Sequence, residues 1–281
     1  VKAADLLGVD ALTFVEPAFA ALTDGTFNAV LTGVPGDEGL LLLDEQEEPL
    51  SLAFRDGSSW TAGTFLCRNP SVALIERFEN ASGEIYQEDR AVWAAAVRDY
   101  YSTALLGGVL PAVEDLNPVR REIIGSLIRS FWGAGSGEAC IDACCGSGVG
   151  SLVLRDLGYA PLSYDNDETL LCRGLTEKRL LSEETMWLDA TRASQYLQPV
   201  PRGIGIMMGE INHFSADMWQ QIVGQLFALT RETLITVGTE PEARLIQQWG
   251  AQLGRHVEVT ENPADPIYDR WVCAARPAAD R

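Results

Sequence analysis

The residues best equipped for chemistry run Ile141-Asp142-Ala143-Cys144-Cys145-Gly146-Ser147-Gly148-Val149-Gly150-Ser151. An apolar run ends in an acid, three glycines follow at alternate positions, and the amphipathic stretch from Leu152 to Leu157 comes next. That order predicts a strand, a tight loop and a helix. A loop without Cβ atoms lets bare backbone N–H groups approach a ligand, and the following helix start adds further donors. The arrangement suits a nucleoside-like ligand.

The elements that must hold this loop repeat along the chain. From Ala139 onward, strand-like runs at Ala139–Ala143, Leu162–Tyr164, Thr185–Leu188, Ile204–Met208, Thr233–Val237, Val257–Thr260 and Trp271–Ala275 are interleaved with helix-like stretches. The helices expected are Gly150–Leu157, Glu168–Leu181, Ala193–Leu197, Ala216–Leu229 and Glu240–Leu253. Such alternation predicts a mostly parallel sheet covered on both faces. The last two runs are separated only by Asn262-Pro263-Ala264-Asp265-Pro266, so they are expected to pair as an antiparallel hairpin at the sheet edge. The front of the chain reads differently. Ala3–Leu22 is largely helical in pattern, and the short runs Phe27–Leu31, Gly39–Leu43 and Leu50–Phe54 between turn residues predict an antiparallel meander. Asn69-Pro70-Ser71 opens a helix to about Phe78, Asp89–Leu106 forms a longer one, and Val119–Phe131 another. The expected organisation is an N-terminal α+β domain over residues 1–115, supplying a substrate pocket or lid, and a second domain over 116–281.

Composition narrows the field. A net charge of −19, with Lys2 and Lys178 the only lysines, repels phosphate backbones and argues against nucleic-acid partners. Arg120, Arg121 and Arg129 are the nearest thing to a basic cluster. The six cysteines form no CxxC pair and there are two histidines, so neither a disulfide framework nor a metal site is expected. No apolar run approaches the roughly 20 residues that span a bilayer, and the chain reads as cytoplasmic.

The segment from Cys140 to Ala275 resembles class I S-adenosylmethionine-dependent methyltransferases. The resemblance rests on acid-x-Gly-x-Gly-x-Gly, met here as Asp142-x-Cys144-x-Gly146-x-Gly148, with Cys144 where the family has its first glycine. It implies a seven-stranded Rossmann-like, mostly parallel sheet with an inserted antiparallel last strand, and S-adenosylmethionine as cofactor. It also assigns roles. Asp165, at the end of Leu162-Ser163-Tyr164-Asp165, would accept hydrogen bonds from both ribose hydroxyls; the plainer reading makes it a cap of the next helix, a place Asp167 fits better. Asn166 would touch ribose or adenine. Asp189 would take the adenine amino group and the Ala190 N–H a ring nitrogen, whereas the plainer reading has Asp189 capping Thr191–Leu197. Trp187 and Leu188 read as core.

The loop Met208-Gly209-Glu210-Ile211-Asn212-His213-Phe214 follows the fourth run, and ligands of open α/β sheets bind beyond the carboxyl ends of strands. Glu210 is a candidate general base, cofactor contact or holder of a cationic acceptor. His213, with Asn212, is a candidate for orienting the nucleophile, against an ordinary loop histidine. Tyr100, beside Tyr101, is a candidate lid over the cofactor, against simple core packing. The activity implied is methyl transfer by in-line displacement to a small-molecule or protein acceptor. Three other readings stand beside it: a non-catalytic cofactor-binding subunit, an aminopropyltransferase, and an NAD(P)-dependent oxidoreductase. The oxidoreductase would use Gly146-x-Gly148-x-x-Ser151 as its loop. The sequence does not specify the oligomeric state.

Overall fold

A computed structural model of the chain describes residues 1–114 and 116–278. The chain divides into two compact units, Val1–Ala104 and Leu105–Arg281. The division falls inside a helix, ahead of the boundary expected near 115. That helix runs from Arg90 to Gly108 and ends at the double glycine Gly107-Gly108.

The first unit contains α1 (Ala3–Leu6), β1 (Leu12–Phe14), α2 (Phe27–Thr32), β2 (Glu38–Leu43), β3 (Pro49–Asp56), β4 (Ser59–Thr64), α3 (Val72–Asn80), β5 (Ser82–Gln87) and most of α4 (Arg90–Gly108). Its five strands lie in the order β1-β4-β3-β2-β5. The antiparallel centre β2-β3-β4 is the meander expected, whereas β1 and β5 join it in parallel. Two expectations fail here. Ala3–Leu22 is helical only over Ala3–Leu6, because Gly8 turns the chain with φ +64° and Leu12–Phe14 then pairs with Trp60–Ala62. Phe27–Leu31 is helix rather than strand. The Asp24 carboxylate accepts the Thr26 N–H at 2.9 Å, and the buried residues Asn28 and Leu31 fall at helical spacing. Leu31, Leu52, Phe54, Leu74 and Phe78 fill the core between sheet and helices.

The second unit carries α5 (Arg120–Trp132), β6 (Ala139–Ala143), α6 (Val149–Asp156), β7 (Ala160–Asp165), α7 (Glu168–Thr176), β8 (Thr185–Trp187), β9 (Val200–Gly205), α8 (Ala216–Leu229), β10 (Thr230–Val237), α9 (Glu240–Gln252), β11 (Arg255–Glu261) and β12 (Trp271–Pro277). A short 3-10 helix at Ala190–Gln195 stands where Ala193–Leu197 was expected. The seven strands order as β11-β12-β10-β9-β6-β7-β8. All run the same way except β12, which is antiparallel to both β10 and β11 and lies between them. The result is the Rossmann-like sheet with an inserted antiparallel last strand. The final pair forms the antiparallel hairpin expected at the sheet edge, with β11 outermost and β12 joining it to β10.

Side chains alternate across β6, as the strand period requires. Cys140 joins Ile124, Ile128, Val153 and Leu154 under α5 and α6. Ile141 points the other way, toward Gly203, where Leu226 of α8 also packs. Asp142 therefore returns to the α6 face, which decides its surroundings. The fourth strand begins and ends earlier than its apolar run suggested. Met207 adopts φ +57°, and this left-handed turn takes Ile206–Met208 out of the regular ladder, while the Met208 N–H still donates to the Thr236 carbonyl of β10 at 2.9 Å.

Candidate functional site

A cleft of about 510 Å³ opens at the carboxyl ends of the central strands, within the range usual for small-molecule sites. The β6–α6 loop forms one wall. Gly146 and Gly148 have φ of +53° and +83°, as the tight turn demands. Cys144 has φ +52°, so an L-residue occupies the left-handed region at the position where the motif otherwise carries glycine. The next residue pins the loop: the Cys145 N–H donates to the Tyr164 carbonyl at 3.0 Å, and the Gly148 N–H donates back to Cys145.

Two glycines of the loop are required by what lies against them. A Cβ on Gly150 would come within 2.7 Å of Asp142 Oδ2, and one on Gly148 within 2.5 Å of Leu180 Cγ. Gly148 starts α6 and does not line the cleft, so its contribution is to the loop's shape.

Asp142 lies beneath the loop with 1% of its surface exposed, accepting the Ser151 hydroxyl at 2.6 Å. Ser151 in turn lies 2.7 Å from the Ser163 hydroxyl. Burial pushes the Asp142 carboxyl up to about 7, against the opposing pull of the Ser151 hydrogen bonds. Asp165 closes β7. Its Oδ2 accepts the Gly146 N–H at 2.8 Å and its Oδ1 the Asp167 N–H at 2.9 Å. Burial raises its carboxyl above the ordinary range, and the Asp167 and Gly146 N–H groups hold it back. The cap of α7 is Asp167, which accepts from the N–H groups of Thr169 and Leu170. Asp165 is thus free of the capping role and couples the glycine loop to the neighbouring strand tip.

Asp189 stands beyond β8. Its Oδ1 accepts from the Thr191 N–H at 2.9 Å and the Thr191 hydroxyl at 2.8 Å, so it caps the 3-10 turn. Asp189, Ala190 and Thr191 nonetheless line the cleft, together with Asp165 and Asn166. Trp187 packs against the cluster of Leu105, Leu171, Leu175 and Leu180, and Leu188 is buried.

The structure brings Asp142, Cys144, Gly146, Asp165, Asn166, Asp189 and Ala190 to one cleft. Three other sequence candidates are not among the residues of this lining. Tyr100 belongs to the first unit, where its ring meets Phe14 and Tyr101 edge-on. His213 is exposed, its ring centroid 3.6 Å from that of exposed Phe214. Glu210 lines a second cleft of about 510 Å³ that meets the first along Met207 and Gly209.

Two lining residues escaped the sequence reading. Glu114 accepts the Ser147 hydroxyl and pairs with Arg179 at 2.5 Å, while Arg179 Nε donates to the Ser147 carbonyl at 2.8 Å. Arg120 enters from α5, 3.0 Å from the buried carboxylate of Asp269 and 3.2 Å from Met207 Sδ. Asp269 accepts the Thr236 hydroxyl at 2.6 Å, and that hydroxyl accepts the Met207 N–H at 2.7 Å, so the chain beyond β9 is tied down. Only the cluster of arginines in α5 signalled this in the sequence.

The charge of the cleft is lopsided. Glu114, Asp142, Asp165 and Asp189 line it, and among the described residues of the lining Arg120 is the single cation, already paired. Two of the loop's donors, the Gly146 N–H and the Ser147 hydroxyl, are engaged by carboxylates. A ligand with hydroxyl and amino donors and a positive centre fits this lining; a pyrophosphate does not.

No family model matches the chain, and no curated relative matches it. Among solved structures, it aligns with a magnesium protoporphyrin IX methyltransferase from Synechocystis PCC 6803 with bound S-adenosylmethionine, at 16% identity and a TM-score of 0.47 over 65% of this chain and 96% of that one. A 1,6-didemethyltoxoflavin-N1-methyltransferase from Burkholderia thailandensis aligns at 14% identity and 0.45, over 66% and 89%. A precorrin-6y C5,15-methyltransferase from Geobacter metallireducens GS-15 aligns at 12% identity and 0.45, over 60% and 94%. These are likenesses of chain outline.

Proposed function

We propose that the protein is an S-adenosylmethionine-dependent methyltransferase of the class I type. The observation that carries this reading is the cleft itself: a glycine loop faced by carboxylates at two successive strand tips, Asp165 and Asp189, with acids throughout the lining. Vicinal ribose hydroxyls match a carboxylate acceptor, and an adenine amino group matches Asp189 beside the Ala190 N–H. The same acids oppose the two phosphates of a nicotinamide dinucleotide, which disfavours the oxidoreductase reading.

The cofactor, when bound, supplies an activated methyl group on a sulfonium. Residues of this chain do the rest. Asp165 fixes the ribose and, through Gly146, the loop. Asp189 and Ala190 set the adenine, and Asp142, Asp165 and Glu114 provide a negative field for the positive centre. Catalysis then depends on aligning acceptor and methyl at about 3 to 3.5 Å and excluding water. The acceptor is a small molecule or a protein, since the net charge of −19 opposes nucleic acid.

Calorimetric titration of the full chain with S-adenosylmethionine, its demethylated product and NADH tests the reading. The first two should bind and the third should not. Asp165→Ala should weaken the donor about tenfold, about 1.4 kcal/mol. Binding of NADH alone, or an unaltered donor affinity in that variant, overturns the assignment.

A further inference from the structure

The second cleft has its own chemistry. It lies beyond the carboxyl ends of β9 and β10, and its lining includes Met207, Glu210, Asn212, Thr239, Ile267 and Tyr268. Met207 and Gly209 line both clefts, so the two spaces adjoin there. Met207 is held in place by Thr236 and Arg120. The lining is largely apolar, and it exposes large hydrophobic groups: Ile267 is 66% exposed, Tyr268 49% and Met207 48%. Singly exposed apolar side chains are ordinary, but three of them around one concave space mark a binding surface.

Among the described residues of this lining there is no cation, and there are two carboxylates. Glu242 is committed: its Oε1 accepts the Ile211 N–H at 2.9 Å, and its Oε2 accepts the N–H and hydroxyl of Thr239 at 2.9 and 2.6 Å. Glu210 is the other, and its side chain is exposed to solvent in the cleft. Its backbone is anchored, for its carbonyl accepts the Ser215 hydroxyl at 2.8 Å and the Trp219 indole N–H at 3.1 Å. One anchored, uncommitted carboxylate in a cleft with largely apolar walls selects a cation on an apolar body; the Tyr268 ring in the same lining already has the Arg120 guanidinium 5.5 Å from its centroid, so the cationic end is left to Glu210.

We infer that the second cleft binds the methyl acceptor, and that the acceptor is an amine carried on an apolar or aromatic body; this rests on the methyltransferase reading above. The ammonium of the acceptor pairs with Glu210 and passes one proton to that carboxylate and on to water. The neutral nitrogen then forms the new N–C bond with its lone pair. The C–S bond breaks with its electron pair going to sulfur, which turns the sulfonium into a neutral thioether. The product is the methylated ammonium, with one proton released overall. Tyr268 and Ile267 hold the apolar body.

The test uses the full chain in two stages. Calorimetry with S-adenosylhomocysteine comes first. With that ligand saturating, phenethylamine and phenylacetate are titrated against wild type and Glu210→Gln. The expected result is binding of the amine and not of the acid, weakened about tenfold in the variant, with the thioether's affinity unaltered. If the thioether binds but the amine does not, or if acid and amine bind alike, or if Glu210→Gln leaves the amine untouched, the acceptor assignment is wrong while the cofactor reading stands. If the thioether fails to bind, both fall.

Discussion

Replacing Asp142 by asparagine should change how stability depends on pH. The wild-type carboxyl is buried under the glycine loop and titrates near 7, whereas in the unfolded chain it titrates near its ordinary value of 3.8. Between those values the folded protein holds a proton that the unfolded chain has released, so this group's contribution is greatest below about 4 and declines as pH rises through 7. A gap of about three pH units corresponds to about 4 kcal/mol. Asparagine has no charge to desolvate and keeps a polar atom for the Ser151 hydroxyl, which the carboxylate accepts at 2.6 Å. Asp165, whose charge adds to the rise at Asp142, is coupled to it, and its response to the replacement acts in the same direction as the loss of the Asp142 charge; the other shifted carboxylates are common to both proteins and cancel. Urea unfolding of the full chain, measured from pH 5 to pH 8.5, should therefore show the variant gaining on wild type by about 2 to 3 kcal/mol toward the alkaline end. A difference between the two proteins that is constant across this range would refute the assignment of a burial-raised carboxyl beneath the loop.

Binding of the cationic donor should favour ionised Asp142 and Asp165, both of which burial raises, so its affinity should increase from pH 6 to 8 by more than that of the uncharged thioether in parallel calorimetry. Cys144→Val, which forces a β-branched residue to φ +52°, should cost about 2 kcal/mol in urea unfolding, whereas Cys144→Gly should stay within about 1 kcal/mol of wild type. Gly148→Ala should cost about 2 to 3 kcal/mol by the same measurement, because the new methyl meets Leu180 Cγ at 2.5 Å and the backbone has φ +83°. Arg179→Met should lower donor affinity severalfold and destabilise by about 2 kcal/mol, since it leaves the partly buried Glu114 carboxylate beside Ser147 without its partner; unaltered donor titrations would show that this network does not shape the loop.

The second unit was legible in the sequence because its signals are local. An acid at the end of an apolar run marks a strand tip: Asp142 does so before a glycine turn, and Asp165 and Asp189 do so before a capped helical turn. Asp167 separates from Asp165 by position alone, one capping a helix and the other left for the cleft. The strand after Ala190–Gln195 was misplaced because Ile206–Met208 is as apolar as a strand. Only the left-handed turn at Met207, whose N–H is held by Thr236, shows that this run leaves the regular ladder instead. Glu114 gave no signal, and Arg120 only its place among the arginines of α5, for a different reason. Each acts through a partner distant in sequence, Arg179 and Asp269, and no spacing rule reports such pairs. The same holds in the first unit, where β1 is a strand only because Trp60–Ala62 lies beside it. A three-residue strand carries too little pattern to outweigh the helical look of its surroundings.

The position of β12 has a consequence for how the protein is made. Translation delivers β11 before β12, yet β12 separates β11 from β10. Until Trp271–Pro277 clears the ribosome, β10 presents an unpaired flank and β11 has no neighbour in the sheet. Until β12 is made, the nascent chain thus carries a sticky rim at which self-association competes with completion of the sheet. Premature termination upstream of Trp271 would yield aggregates instead of a shortened but soluble domain.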